Sequence, residues 1–207
     1  MSTGTDPRHA WHLTRPSPSR RLIMLAVVAT LTVAAVILLA TRSNNASNGT
    51  GRVAAADSVD NGLLKIGVPR ILSTSQLRAF AATATGPIYW AGPAGPATRL
   101  EVTVVRRGDV FIRYLTGTAP LGDPHPSFTT IGTYGVADAY RVVNNDSNAK
   151  GATRLRIPGR GIAINTTRAP HSFYVAFPGQ NYAAEIYATT TTHARRLVLS
   201  GRITRVP

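Results

Sequence analysis

Residues 22–40 read LIMLAVVATLTVAAVILLA, 19 positions without one charged side chain. At ~1.5 Å rise per residue a helix of this length reaches roughly 28 Å, close to the ~30 Å hydrocarbon core of a bilayer. A helix packed inside a soluble protein carries a polar stripe, and here only Thr30 and Thr32 interrupt the apolar run. Arg8, Arg15, Arg20 and Arg21 precede it, whereas Arg42 and Arg52 are the only basic residues in the next twenty. Cationic flanks stay on the cytoplasmic side, so the N-terminus is expected inside and the remainder outside. A cleaved signal peptide is the competing reading. It would need a shorter apolar core and a small-x-small site directly after it, but this run ends Leu38-Leu39-Ala40. The expected organisation is a cytoplasmic tail (1–21), a transmembrane signal-anchor (22–40), a polar stalk (41–61) and one extracytoplasmic domain (62–207).

The stalk is rich in Asn, Ser and Gly and has no sustained hydrophobic period. With the reach of a flexible coil it spans about 25 Å. The net charge of +14 divides unevenly. Residues 1–61 hold 6 basic and 3 acidic groups, and residues 62–207 hold 17 and 6. So basic a chain ordinarily suggests nucleic acid, but a basic body outside the cytoplasm with no reading motif excludes that partner. Its expected partners are the lipid bilayer and an anionic cell-wall polymer or another membrane protein. The chain has no cysteine, which removes disulfides, thiolate metal sites and cysteine nucleophiles.

In the C-terminal body the pattern is mixed. Residues 63–71 form a short apolar lead-in broken by Pro69. Ser73-x-x-Gln76 is a capping box, and Leu77, Phe80, Ala81 and Ala84 continue it as one helical stripe that Gly86-Pro87 should end. Strands are expected at 100–105 and 110–115, joined by a tight hairpin, and at 128–134. A short helix is expected at 136–143. Further strands follow at 153–157, 161–166, 172–177 and 182–187, with turns at Pro158-Gly159 and Pro178-Gly179. A last helix capped by Thr192 and ended by Gly201, then a strand at 202–206, close the chain. This predicts an α+β fold, a largely antiparallel sheet with two or three short helices. The order strand, strand, strand, helix occurs over 100–143 and again over 161–199. If Val105 pairs with Val110, Glu101 faces Tyr114 and Val102 faces Arg113. Arg113 then shares a face with Leu100, Val102 and Val104, where it needs a partner or an edge position.

Catalytic motifs are scarce. There is no Gly-x-Ser-x-Gly, no phosphate-binding loop, no His-Glu-x-x-His and no cofactor fingerprint. Asp123-x-His125 lies in a proline-rich turn, which argues for a solvated loop over a metal site. Arg107-Gly108-Asp109 is what a hairpin apex demands. Glu101 and Glu185, both mid-strand, are the only carboxylate pair placed for hydrolysis, and each is expected first to neutralise an arginine. The segment Ile88-Tyr89-Trp90-Ala91-Gly92-Pro93 stands out. Tyr89 and Trp90, with Tyr114, Tyr134 and Arg113 nearby, either form a ligand or partner surface or anchor a small core. The core reading takes precedence.

Pro87-x-Tyr89-Trp90-Ala91-Gly92, Val110-Phe111-Ile112-Arg113-Tyr114-Leu115 and Gly132-Thr133-Tyr134 resemble a group of uncharacterised single-pass membrane-anchored proteins of high-GC Gram-positive bacteria. The later Ser172-Phe173-Tyr174-Val175-Ala176-Phe177-Pro178-Gly179, Glu185-Ile186-Tyr187 and Ser200-Gly201-Arg202 carry the same likeness, which covers most of 63–207. The resemblance implies an anchored extracytoplasmic domain and transfers no catalytic residue. The function expected is therefore a binding or interaction module at the cell envelope. The alternative is an envelope hydrolase using Glu101 or Glu185. A signalling receptor is the weakest reading, because 21 cytoplasmic residues are too few for an output domain.

Overall fold

A computed structural model describes residues 64–105 and 108–207. The expected tail, signal-anchor and stalk lie outside the described residues. No helix within the described residues is long and apolar enough to cross a membrane.

The chain runs β1 (Arg70–Leu72), α1 (Thr74–Thr83), β2 (Tyr89–Trp90), β3 (Thr98–Val104), β4 (Val110–Thr116), β5 (Thr129–Gly135), α2 (Ala139–Asp146), β6 (Ala152–Ile157), β7 (Gly161–Thr166), β8 (Ala169–Ala176), β9 (Tyr182–Tyr187), α3 (Thr191–Leu199) and β10 (Thr204–Arg205). Among the described residues eight strands form one sheet in the order β1-β3-β4-β5-β9-β8-β7-β6, and β10 pairs with β2 in a separate ribbon. Every pairing is antiparallel. The fold is α+β, as the alternation of short strands and dispersed helices predicts. The repeated strand-strand-strand-helix order is present as two meanders, β3-β4-β5 and β7-β8-β9. Their last strands meet at the centre of the sheet, from Thr130 opposite Tyr187 to Gly135 opposite Tyr182.

Helix α1 starts where its sequence says. The Ser73 hydroxyl accepts from the Gln76 N–H at 3.1 Å, and the Gln76 side chain accepts from the Ser73 N–H at 2.9 Å. Ser73→Ala is expected to lower stability by about 1 kcal/mol, the usual cost of a lost N-cap, seen as a melting temperature a few degrees lower. The other end differs from expectation. The helix closes at Ala84 in an extended conformation, and Gly86 is not left-handed. Glycine is required there for space: a Cβ on Gly86 would stand 2.1 Å from the Tyr182 ring. The cap of α3 is Thr190, which accepts from the His193 N–H, rather than Thr192. Helix α2 begins three residues later than expected, after Asp138 in a left-handed conformation. The final strand shrinks to Thr204–Arg205, because only two residues lie beside Trp90 and Tyr89.

The hairpin register also differs, and the difference matters. Val104, not Val105, pairs with Val110. Val105 and Asp109 close a five-residue connection through a 2.9 Å hydrogen bond, with Gly108 left-handed. One extra loop residue moves each side chain of β4 opposite the other alternation of β3. Arg113 therefore faces Glu101, and not Val102.

That register sorts the sheet into two unlike faces. On one, Leu100, Val102, Ile112, Ile131, Ile186 and Val175 are fully or almost fully buried beneath α1, α3 and the β2–β10 ribbon. On the other lie the buried polar groups Glu101, Arg113, Thr130, Ser172 and Glu185. Helix α2 covers the β7–β9 part of this second face through Ala139 and Val143. The 117–128 connection lies over the part around Glu101 and Arg113.

Candidate functional site

On the polar face two carboxylates are buried for different reasons. Glu101 receives the Arg113 guanidinium at 2.8 Å and the Gly122 N–H at 2.6 Å. Arg113 also donates to the carbonyls of Asp123 (2.7 Å) and His125 (3.3 Å), and the Phe128 ring lies 5.2 Å from its guanidinium carbon. The pair is a clamp that pins the 117–128 connection onto the sheet. Asp123 is held below the usual carboxylate range by hydrogen bonds from the His125 backbone and ring. His125 itself points to solvent, and among the described residues no third His, Asp or Glu converges on this pair to hold a metal.

Glu185 departs from the expectation that it pairs with an arginine. Its oxygens accept from the hydroxyls of Ser172 and Tyr134, each at 2.7 Å, and the buried Tyr174 hydroxyl lies close by without a partner of normal geometry. Gly132, directly opposite Glu185, makes this possible: a Cβ there would sit 2.8 Å from the Tyr134 hydroxyl that crosses it. Burial pushes the Glu185 carboxyl up, opposed by these hydroxyls. Burial and the neighbouring carboxylate push Tyr134 up as well. Glu101 and Glu185 stand on β3 and β9, three strand steps apart. At ~4.8 Å per step this is about 14 Å, beyond the ~5–9.5 Å that paired glycosidase carboxylates span.

The apolar face holds the singled-out aromatics. Trp90 is sealed in the core beneath α1, with Leu77, Leu100 and Ile112. Tyr114 reaches the same segment from β4. Its hydroxyl accepts from the Ala91 N–H at 2.8 Å and donates to the Gly92 carbonyl at 2.9 Å, and burial raises its pKa to about 12. Tyr89 stacks on Phe177 with ring centres 5.5 Å apart, and its buried hydroxyl faces Arg205 without a hydrogen bond of normal geometry. The five proposed surface residues thus do not form one surface. Tyr89, Trp90 and Tyr114 belong to one side of the sheet, and Arg113 and Tyr134 to the other.

Two hollows flank the 88–95 segment. The smaller, about 340 Å³, is bordered by Tyr114, Phe128, His193 and Arg202. The larger, about 660 Å³, lies between two hairpin turns and the C-terminal tail, with Tyr89, Phe177, Pro158 and Pro178 as walls and Arg160, Gln180 and Arg205 at its polar side. Three glycines let its walls close up. A Cβ on Gly161 or Gly159 would meet the Phe177 ring at 2.8 or 3.3 Å, and one on Gly201 would meet Pro158 at 3.3 Å. Of the singled-out residues only Tyr89 lines this hollow. Nothing in the sequence marks Phe177, Arg160, Gln180 and Arg205 as lining residues, since Pro158-Gly159 and Pro178-Gly179 read as turns and Phe177 and Arg205 as strand positions. Their convergence follows from strand order: both turns lie at the same end of the sheet, beside the tail. Neither Glu101 nor Glu185 borders either hollow. Set against protein-family models, curated proteins and solved structures, the chain matches none.

Proposed function

We propose that this chain is a single-pass membrane protein, N-terminus inside, whose C-terminal domain is a binding module for a component of the cell envelope. One structural observation carries the binding reading: an open hollow of about 660 Å³ walled by aromatic and proline rings and edged by two arginines. A small-molecule site characteristically combines apolar walls with a few placed polar groups. Both buried carboxylates, by contrast, are taken up by internal bonds and lie away from this hollow. The membrane part rests on the apolar run 22–40, its arginine flank and the resemblance to anchored envelope proteins.

The test uses full-length protein tagged at each end and expressed in a Gram-positive host. Protease added to intact protoplasts is expected to remove the C-terminal tag and spare the N-terminal one, with the protein in the membrane fraction. Deleting residues 22–40 is expected to abolish membrane retention. In detergent, the full-length protein is expected to sediment with isolated cell-wall material. Protection of the C-terminal tag would overturn the topology, and failure to sediment would overturn the binding reading.

A further inference from the structure

We infer that the larger hollow is a binding site for an anionic saccharide, a sugar ring bearing a phosphate or a carboxylate. This deepens the binding-module reading and rests on it. Arg160 and Arg205 border the hollow, and among the described residues no carboxylate pairs with either guanidinium. Of the two, Arg205 donates to the Gln180 side-chain oxygen. A guanidinium is a planar set of donors suited to two oxygens of one phosphate or carboxylate. The basic excess is regional: from residue 148 to the C-terminus nine arginines and lysines face a single acid, Glu185, which is buried on the other face of the sheet.

The remaining groups select for a ring bearing hydroxyls. Tyr89 is 2% exposed, and its buried hydroxyl faces the Arg205 side chain without a hydrogen bond of normal geometry. A buried polar group so poorly paired is costly, and it marks a position where a ligand oxygen can complete the bonding as the exposed Arg205 side chain swings onto the ligand's anionic group. The Phe177 ring, stacked on Tyr89, and the aliphatic rings of Pro158 and Pro178 supply an apolar wall on which sugar C–H groups can pack. Arg160 holds φ 61° without being glycine. The neighbouring Gly159 is left-handed as well (φ 75°), so this geometry belongs to the β6–β7 hairpin turn, which sets Arg160 at the border of the hollow. The volume suits one or two sugar rings.

Full-length protein in phosphatidylcholine nanodiscs, titrated by calorimetry, tests this. Glucose 6-phosphate and glucuronate are the probes; glucose and inorganic phosphate are the neutral and ring-free references. At least one anionic sugar is expected to bind tenfold or more tighter than both references. Arg160→Gln and Arg205→Gln are each expected to weaken it at least tenfold, and Tyr89→Phe severalfold. Arg195→Gln, on the exposed side of α3, should leave it unchanged. Arg205→Lys, which keeps the charge but not the fork, should recover part of the loss, and thermal melts identify any variant that fails to fold. Inorganic phosphate binding as tightly as the anionic sugars overturns the inference in favour of a plain anion site. Arginine-dependent binding to phosphatidylglycerol vesicles, without sugar binding, overturns it in favour of a lipid surface. No sugar binding by a protein that still sediments with wall material overturns this inference alone. Loss of both overturns the binding module with it.

Discussion

Arg113→Met is expected to destabilise the domain by about 3–5 kcal/mol, the cost of leaving one partner of a buried ion pair behind. Methionine keeps much of the stem and its packing, so the loss isolates the charge. Glu101 is 1% exposed and would retain only the Gly122 N–H. The carbonyls of Asp123 and His125 would lose their shared donor, and Phe128 its cation. The 117–128 connection should therefore loosen at the same time as the sheet weakens. Hydrogen exchange of the Gly122 amide should accelerate beyond what global unfolding explains. Adding Glu101→Gln removes the stranded charge and is expected to recover part of the loss, a coupling of about 0.5–3 kcal/mol between the two positions. Urea unfolding of the two single variants and the double one measures this. An Arg113→Met cost under 1 kcal/mol, or strict additivity, would show that the connection is held by its other contacts.

The same pair shows how far the sequence can be read. Local signals translated directly: the Ser73–Gln76 box forms as written, and strands β4, β7 and β9 lie where alternation and flanking turns put them. The need of Arg113 for a partner was legible too, since a charged group on a strand face cannot be buried alone. Which partner it takes was not. That depends on whether the hairpin loop has four or five residues, and both agree with the same apolar alternation. Glu185 failed for a longer-range reason. Its surroundings come from β5 and β8, and nothing local indicates that β9 lies between them, so two hydroxyls stand where an arginine is expected. Gly86 is the same case in miniature. It looks like a helix terminator because Pro87 follows, yet its lack of a side chain serves Tyr182, ninety-six residues away. The larger hollow gathers four segments distant in sequence, so no spacing along the chain could reveal it. Its signature in the sequence is compositional, a basic C-terminal third that holds Arg160 and Arg205.

Glu185 supplies the other large effect, as a pH dependence opposite to the usual acid behaviour. Burial raises its pKa above the ordinary glutamate value of about 4.3. Between that value and the raised one the folded chain binds more protons than the unfolded chain, so stability falls as pH rises through the interval. Asp146 adds to this in the same direction. Its pKa is raised to about 6 by burial, and its Oδ2 has no partner. Asp123, shifted the opposite way, loses its contribution only as pH falls from the ordinary aspartate value near 4 through its lowered folded value, below the interval. The full-length protein in detergent is therefore expected to be more stable at pH 5 than at pH 7. Asp146→Asn should remove part of that slope and Glu185→Gln part, with the double variant nearly flat. Glutamine keeps an acceptor for Ser172 or Tyr134 without the charge, so at pH 7 it should be as stable as glutamate or more so. Leucine separates charge from hydrogen bonding. It removes the desolvated carboxylate but strands two buried hydroxyls, at about 1–3 kcal/mol each, so Glu185→Leu should be several kcal/mol less stable than Glu185→Gln. Urea unfolding at pH 5, 6 and 7 distinguishes these cases. If Glu185→Gln kept the full slope of the parent, the carboxylate would have to be ionised throughout, stabilised by its hydroxyls more than it is penalised by burial.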